Sequence, residues 1–171
     1  MALVDTLTGK VTADIVSALT RVAGSVTGKD TLNHKKVQTF TNGTGTGQAT
    51  GYFGTTFTAT VGGITISLAD SDDPLAAAGD DTPSSDPDGL KLRAIMIENL
   101  DGSNYIEVEQ GTNGLTSWIV ASGDKVRIIA GGVLLQTFPA GLDTMNDGAD
   151  DEIKITANSS SVSVKISYIY G

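Results

Sequence analysis

The sequence predicts an all-β protein: an antiparallel, jelly-roll-like β-sandwich of about nine strands, preceded by an N-terminal arm that contains one short helix. From residue 56 onward, short runs of alternating apolar and polar side chains recur, separated by residues that favour turns. Only 18 % of the 171 residues are charged. Small uncharged residues, Thr, Ser, Gly and Asn, take the place of charged ones, and this composition suits strands and tight turns. A single segment, near the N-terminus, has helical spacing.

The N-terminal arm, residues 1–36, carries an apolar stripe at every fourth position. This spacing predicts a helix over residues 12–23, with Thr12 or Asp14 as its cap and Gly24 as its end. Because the stripe lies outside the strand-rich region, we expect it to fold back onto that region or to contact another subunit. The expected interaction residues are Leu3, Leu7, Val11, Ile15, Leu19 and Val22.

The remaining residues, 37–171, are expected to form the sandwich domain. Alternation on both sides of Gly62-Gly63 predicts a hairpin, and a second hairpin is predicted around Asp101-Gly102. Residues 70–89 contain seven Asp and three Pro and no basic residue, and this composition predicts a long surface loop. Further strands are predicted at 90–98, 104–110, 115–121, 125–130, 133–138, 152–157 and 161–170.

The net charge of −9 is unevenly distributed along the chain. Residues 1–36 carry +2 and residues 37–171 carry −11. An acidic body argues against nucleic-acid binding, because contacts to phosphates require clustered Lys and Arg. The chain has no cysteine, and no run approaches the roughly 20 apolar residues of a membrane helix. The N-terminal residues lack the apolar stretch of a signal peptide, so a soluble protein without a membrane partner is expected.

Residues suited to acid–base catalysis are scarce. The single histidine, His34, lies in the polar segment NHKK without a nearby serine motif. Glu107 and Glu109 would have to lie across a cleft to act as glycosidase acids, but they lie two residues apart and alternate with Ile106 and Val108. This pattern predicts an outward face of a half-buried strand, so we expect a protein that is not an enzyme.

Calcium binding is the alternative for the acidic loops, since Ca²⁺ prefers carboxylate oxygens. The spacing does not match an EF-hand, and a solvated loop without a cofactor is the preferred interpretation. The weak calcium candidates are Asp70, Asp72, Asp73, Asp80 and Asp81. A second acidic turn, with Asp143, Asp147, Asp150, Asp151 and Glu152, has the same two interpretations.

From Ile95 to the C-terminus the chain resembles the small β-sandwich structural proteins of tailed-phage virions. The residues that carry the resemblance are IENLDGSNYIEVEQGTNG, SWIVASGDKVRIIA and the closing segment EIKITANSSSVSVKISYIYG. Such proteins decorate or cement capsids or build parts of tails and baseplates. The resemblance implies a non-enzymatic virion protein that decorates or cements the capsid. Its expected partners are the capsid protein, other virion proteins and further copies of itself, and before assembly it would be soluble in the host cytoplasm.

The alternative function is a carbohydrate- or receptor-binding module of a phage tail, a baseplate or a bacterial adhesin. Its site would lie in the loops at one end of the sandwich, with Tyr52, Phe53 and Trp118 as candidates. Aromatic residues make up only 5 % of the chain, and no ladder of stacking side chains is visible in the sequence.

Overall fold

The computed structural model describes residues 7–23, 26–70, 86–119 and 123–171. Within 14–23 and 26–34 it describes the backbone alone. The described residues contain eleven strands and no helix, which confirms the all-β prediction. The strands are β1 (Gly9–Ala23), β2 (Val26–Asn42), β3 (Gln48–Ala49), β4 (Gly51–Ala59), β5 (Ile64–Ser67), β6 (Leu92–Asn99), β7 (Ile106–Gln110), β8 (Lys125–Ile128), β9 (Val133–Thr137), β10 (Glu152–Ala157) and β11 (Val162–Tyr170).

Strands β4 to β11 form two four-stranded antiparallel sheets. The first sheet has the order β4-β11-β6-β9 and the second has the order β5-β10-β7-β8. Strand β4 pairs with β11, β5 with β10, β6 with β9 and β7 with β8, as in one long hairpin ribbon that is wrapped around itself. The wrapping adds the strand pairs β6–β11 and β7–β10, which join the hairpin pairs into two open sheets. This is the jelly-roll arrangement that the sequence predicts.

The main core lies between the two sheets and follows the period-two alternation of the strands. On β11, every second side chain from Val162 to Tyr170 is buried, and on β10 the same holds from Ile153 to Ala157. Tyr168 stacks at 5.2 Å between ring centroids on Phe53 and donates a hydrogen bond of 3.2 Å to the carbonyl of Leu68. Its burial raises the pKa of the Tyr168 hydroxyl.

Both predicted hairpins are wrong, although the strands themselves are present. Strands β4 and β5 belong to different sheets, and so do β6 and β7. The turn at Gly62-Gly63 does form, since the Gly63 N–H donates to the carbonyl of Thr60 at 3.0 Å. It turns the chain from one sheet to the other, because the alternation of apolar residues specifies a buried face but not which strand pairs with which.

Two further predicted elements differ from the structure. Residues 115–119 form turns rather than a strand. The side chains of Leu115 and Ile119 are buried in the main core. The helix predicted over residues 12–23 is wrong, because these residues belong to strand β1. The segment is rich in β-branched residues, which restrict side-chain rotamers in a helix and favour strands, and β2 provides fifteen antiparallel partner positions.

The two ends of the sandwich have different compositions. At one end lie four short corners, residues 60–63, 100–105, 129–132 and 158–161, in which Asp101 is the one charged residue; we call this end the corner face. The other end carries the described parts of the long connections, residues 68–70, 86–91, 111–119, 123–124 and 138–151. These parts contain eight acidic residues and one basic residue, Lys91.

Candidate functional site: the base of the N-terminal hairpin

Strands β1 and β2 form a long antiparallel hairpin, the hairpin arm, whose paired register runs from Gly9–Phe40 to Ala23–Val26. Ala13 and Lys36 are paired and both exposed, so the hairpin has left the sandwich at this position. Ten further pairs follow, which at about 3.4 Å per residue extend the arm by about 34 Å. Over these ten pairs, the described strands of the arm pair only with each other.

The base of the arm is fixed to the outer surface of the first sheet by a small second core. Phe40 of β2 is completely buried and packs with Ala49 and Ala94. Leu7, Val11 and Ile169 pack around this cluster and are half-buried. Gly9 permits the close approach, because a Cβ atom at Gly9 would lie 3.3 Å from Cδ1 of Ile169.

A groove of about 660 Å³ runs between the first strand of the arm and the outer surface of the first sheet. Residues 7–12 of the arm form one wall. The sheet contributes mainly apolar side chains to the other wall, including Tyr52, Ala94, Met96, Leu135 and Ile169. Tyr52 is the most accessible of them, with 56 % of its surface exposed.

The outer surface of the first sheet changes character along its length. Near the arm it is apolar, whereas toward the corner face the outward residues are Thr56, Thr58, Ser163 and Lys165, all exposed. The sequence analysis did not identify this apolar half as a site. A signal was present in LRAIMIEN of β6, since a nearly continuous apolar run is typical of a strand covered on both faces.

Two of the six predicted interaction residues lie at this base. Leu7 and Val11 pack against the Phe40 cluster of their own chain, so they join the arm to the sandwich. Residue Leu3 lies outside the described residues, and the side chains of Ile15, Leu19 and Val22 lie outside the described part as well.

Arg93 fixes the loops next to the base. Its buried guanidinium donates hydrogen bonds to the carbonyl oxygens of Gly171 at 2.7 Å and Pro139 at 3.3 Å, and to the carbonyl of Thr44. Removal of the guanidinium from water lowers the pKa of Arg93. The residue therefore joins the end of β11 to the loop before β3 and to the loop after β9.

The three aromatic residues considered for carbohydrate binding do not form one site. Phe53 is buried in the core, so that part of the prediction is wrong. Tyr52 lies on the outer face of β4, one edge strand of the first sheet. Trp118 packs edge-on against Phe138, and its Nε1–H donates to Oε1 of Gln136 in β9, the opposite edge strand, at 2.6 Å.

The two glutamates of β7 face outward, as their alternation predicts, and each is held by cations of neighbouring strands. Oε1 of Glu107 lies 2.7 Å from Nη2 of Arg127, and Nζ of Lys125 lies 3.3 Å from a carboxylate oxygen of Glu107 and of Glu109. Lys154 approaches Glu109 from the other side at 3.4 Å. The hydrogen bonds from Arg127 lower the pKa of Glu107. The two carboxylates are therefore both engaged in ion pairs on the outer surface of the second sheet.

The described part of the acidic loops contains no cluster of carboxylates of the kind that holds a calcium ion. Among the residues that the structure describes, no group of three or more Asp, Glu or His lies close enough together to hold a metal ion. Asp70 is described, whereas Asp72, Asp73, Asp80 and Asp81 lie outside the described residues. Asp151 is completely buried and accepts a hydrogen bond from the hydroxyl of Ser67, and its burial raises its pKa.

Comparisons with family models, with curated proteins and with solved structures find no match to the chain. Within the part of the chain that the structure describes, no helix has the length and apolar character needed to cross a membrane.

Proposed function

We propose that the protein is a non-enzymatic structural protein of a bacteriophage virion that decorates or cements the capsid through the hairpin arm. The observation that carries this proposal is the arm itself. Ten residue pairs of β1 and β2 lie beyond Ala13–Lys36, and no described strand of the sandwich pairs with them. An isolated two-stranded hairpin is marginally stable in water, so an arm of this length is best explained by a partner that covers it after assembly.

The backbone of the arm suits strand addition. Each strand of a two-stranded hairpin has one edge with unpaired N–H and C=O groups, and such edges are templates for pairing with another chain. A cement protein gains from this geometry, because one arm per subunit adds a contact at every joint of a symmetric shell and the small gains accumulate over many copies.

The charge distribution favours a neighbouring copy, or an equally acidic virion protein, as the partner of the arm. The arm carries +2 over residues 1–36, whereas the body carries −11 over residues 37–171. A basic arm is attracted to an acidic body, and such complementarity increases the rate of association and fixes orientation. The jelly roll itself is compatible with the proposal, since this architecture recurs in viral capsid domains and also in lectins.

The carbohydrate- or receptor-binding alternative has less support. Of its three aromatic candidates, Phe53 is buried and Trp118 is hydrogen-bonded on the far edge of the first sheet. Tyr52 remains as an exposed side chain at the groove. A glycan array would test this alternative, and binding that is lost in Tyr52→Ala would favour it over the capsid role.

The test of the proposal is shell binding by a variant with a shortened arm. Replacing residues 14–35 by Asn-Gly joins the paired residues Ala13 and Lys36 through a two-residue turn and leaves the Phe40 base intact. Both proteins would be mixed with empty shells of the major capsid protein from the same genome and then sedimented. The full-length protein is expected in the pellet at a fixed ratio to capsid protein, and the shortened variant in the supernatant.

Each remaining result has a clear meaning. Equal sedimentation of both proteins would contradict the role of the arm, and failure of both to sediment would contradict the capsid role. Urea unfolding followed by the fluorescence of Trp118 provides the control. Both sheets of the sandwich consist of strands β4 to β11, which the replacement leaves intact, so the variant is expected to unfold at nearly the same urea concentration.

A further inference from the structure

We propose that Asp151 and Ser67 form a proton-controlled latch. The latch holds residues 68–70 against the start of β10 while the carboxyl group of Asp151 is neutral, and releases them when this group ionises. The proposal does not depend on the virion role. It follows from one buried carboxyl group at the point where three of the long connections meet.

The backbone of Asp151 lies at this meeting point. Its carbonyl accepts a hydrogen bond of 2.9 Å from the Leu68 N–H, and its own N–H donates to the carbonyl of Asn113 at 2.8 Å. The next residue, Glu152, is the first of β10 and pairs with Ser67 at the end of β5. A change at Asp151 therefore acts directly on the first residues after β5.

The side chain of Asp151 binds the same segment a second time. Its Oδ2 accepts a hydrogen bond from the hydroxyl of Ser67, and the Ala69 N–H is a further donor to the carboxyl group. From the core side, the hydroxyl of Tyr168 donates to the carbonyl of Leu68 at 3.2 Å. Three consecutive residues, 67 to 69, are thus bound to Asp151, two of them through its carboxyl group.

The other carboxyl oxygen makes the ionised form costly. Oδ1 of Asp151 is buried and has no hydrogen-bond partner among the described residues. The bonds from Ser67 and Ala69 favour ionisation, but burial outweighs them and raises the pKa of Asp151. A buried charge with incomplete hydrogen bonding is far more costly than a neutral carboxyl group in the same position, so the closed latch favours the protonated form.

The charged groups around the latch act in the same direction. The carboxylates of Glu152 and Asp147 both disfavour ionisation of Asp151. Asp70, at the end of the held segment, acts together with Asp151 to raise the pKa of the Tyr168 hydroxyl, so this phenol stays neutral while Asp151 titrates.

The other elements that pack against Asp151 bring no compensating charge. Residues 64–67 of β5 and residues 111–114 contain no titratable side chain. The lysine of β10, Lys154, lies 3.4 Å from Glu109 in the ion pairs on the outer surface of the second sheet. Ionisation of Asp151 would therefore place a negative charge among like charges.

The direction of the switch follows from the two pKa values of Asp151. In the open form the carboxyl group is hydrated, and the pKa of a hydrated aspartate is about 3.9. In the closed form burial raises the pKa above this value. Between the two values, each pH unit increases the ratio of open to closed form by up to about tenfold, and above the higher value the ratio is constant. The segment is therefore held firmly in acid and more loosely toward neutral pH.

Hydrogen exchange of single amides in the full-length chain, followed by NMR from about pH 4 to pH 7, tests the latch. Dividing the intrinsic exchange rate at each pH by the measured rate gives a protection factor for each amide. The protection factors of Leu68 and Ala69 are expected to fall by up to about tenfold per pH unit in the lower part of this range, because opening frees both N–H groups. The protection factor of Gly63, whose N–H donates to Thr60 directly before β5, is expected to stay constant.

Three variants assign the effect to the latch. Asp151→Asn keeps the shape of the side chain but has no proton to lose, so the protection of Leu68 and Ala69 should no longer vary with pH. Asp147→Asn is the matched control, because it removes an exposed carboxylate nearby and should keep the pH dependence of wild type. Ser67→Ala removes the hydroxyl and keeps the carboxyl group, so it should lower the protection of Ala69 about fivefold at pH 4.

Four results would overturn the proposal. They are constant protection of Leu68 and Ala69 in wild type, a pH dependence that persists in Asp151→Asn, and loss of the pH dependence in Asp147→Asn. The fourth is protection of the two amides that equals that of Ile155 in the central strand β10 at every pH, because the segment would then open only with the whole sandwich. If Asp151→Asn does not fold, Ser67→Ala decides, and unchanged protection at pH 4 would contradict the latch.

Discussion

The buried side-chain amide of Asn99 donates a hydrogen bond of 3.1 Å to the carbonyl of Ile129, whose own side chain is the most exposed of the large apolar residues described. The same amide also donates to the carbonyls of Asn104 at 2.8 Å and Ile128 at 3.2 Å, and its oxygen accepts from the Asp101 N–H at 3.0 Å. One side chain at the end of β6 thus fixes two corners of the corner face.

Asn99→Ala is expected to lower the free energy of unfolding by about 2–3 kcal/mol, because buried carbonyl groups lose their donor. Urea unfolding followed by the fluorescence of Trp118 would measure it. Asn146→Ala is the control, since the Asn146 amide makes an exposed bond to Thr144 and its loss is expected to cost less than about 0.5 kcal/mol. Equal effects of the two substitutions would show that Asn99 does not organise the corners.

Phe40→Ala tests whether the arm is held by its base. The side chain is completely buried between the arm and the first sheet, so its removal is expected to lower the free energy of unfolding by about 3 kcal/mol and to accelerate hydrogen exchange of the β1 amides near Gly9. Val37→Ala, at a residue 41 % exposed on the same strand, is expected to change both quantities little. Unchanged exchange in Phe40→Ala would mean that the base does not anchor the arm.

The sequence predicts the strands of the sandwich well because one face of each strand is buried. The alternation in SVSVKISYIY and EIKITA identifies the buried residues of β11 and β10, and the corners contain the Gly, Asn and Ser that turns require. The number and spacing of the predicted strands also predict the jelly roll correctly.

The sequence does not reveal which strands pair, because pairing depends on contacts between residues far apart in the chain. The corners at Gly62-Gly63 and Asp101-Gly102 look like hairpin turns, but each joins strands of different sheets. The helix prediction for the arm is wrong for a related reason. The spacing of Leu7, Val11 and Ile15 fits a helix, but pairing with β2 determines the backbone conformation. The corner face could not be predicted, since Val61, Leu100 and Ile129 are isolated in sequence and meet only in the fold.

Glu107→Gln tests whether the outward carboxylates of β7 are structural. The pKa of Glu107 is lowered in the folded protein, so its ion pair with Arg127 contributes stability above the unfolded pKa of about 4.3 and loses it as pH falls below that value. The substitution is expected to lower the urea midpoint slightly at pH 7, and the difference should vanish in 1 M NaCl because exposed ion pairs are screened. A large, salt-independent loss would contradict this surface role.

Asp151→Asn tests the buried carboxyl group at the end of the long connection 138–151, directly before β10. Burial raises the pKa of Asp151 in the folded protein, so the folded chain binds its proton more tightly than the unfolded chain, whose Asp pKa is about 3.9. The stability that this group contributes is therefore greatest at low pH and is lost as pH rises through the raised pKa. Asn can still accept the hydrogen bond of Ser67 but has no proton to lose, so the variant should be at least as stable as wild type at pH 7.

The decisive quantity is the difference in free energy of unfolding between wild type and Asp151→Asn, measured with urea from about pH 4 to pH 7. The difference is expected to favour wild type progressively as pH falls, because protonation removes the buried charge that wild type alone carries. Asp147→Asn is the matched control, since Asp147 is exposed and stays hydrated in both the folded and the unfolded chain. A difference that stays flat over this range for Asp151→Asn would mean that the buried carboxyl group does not couple folding to pH.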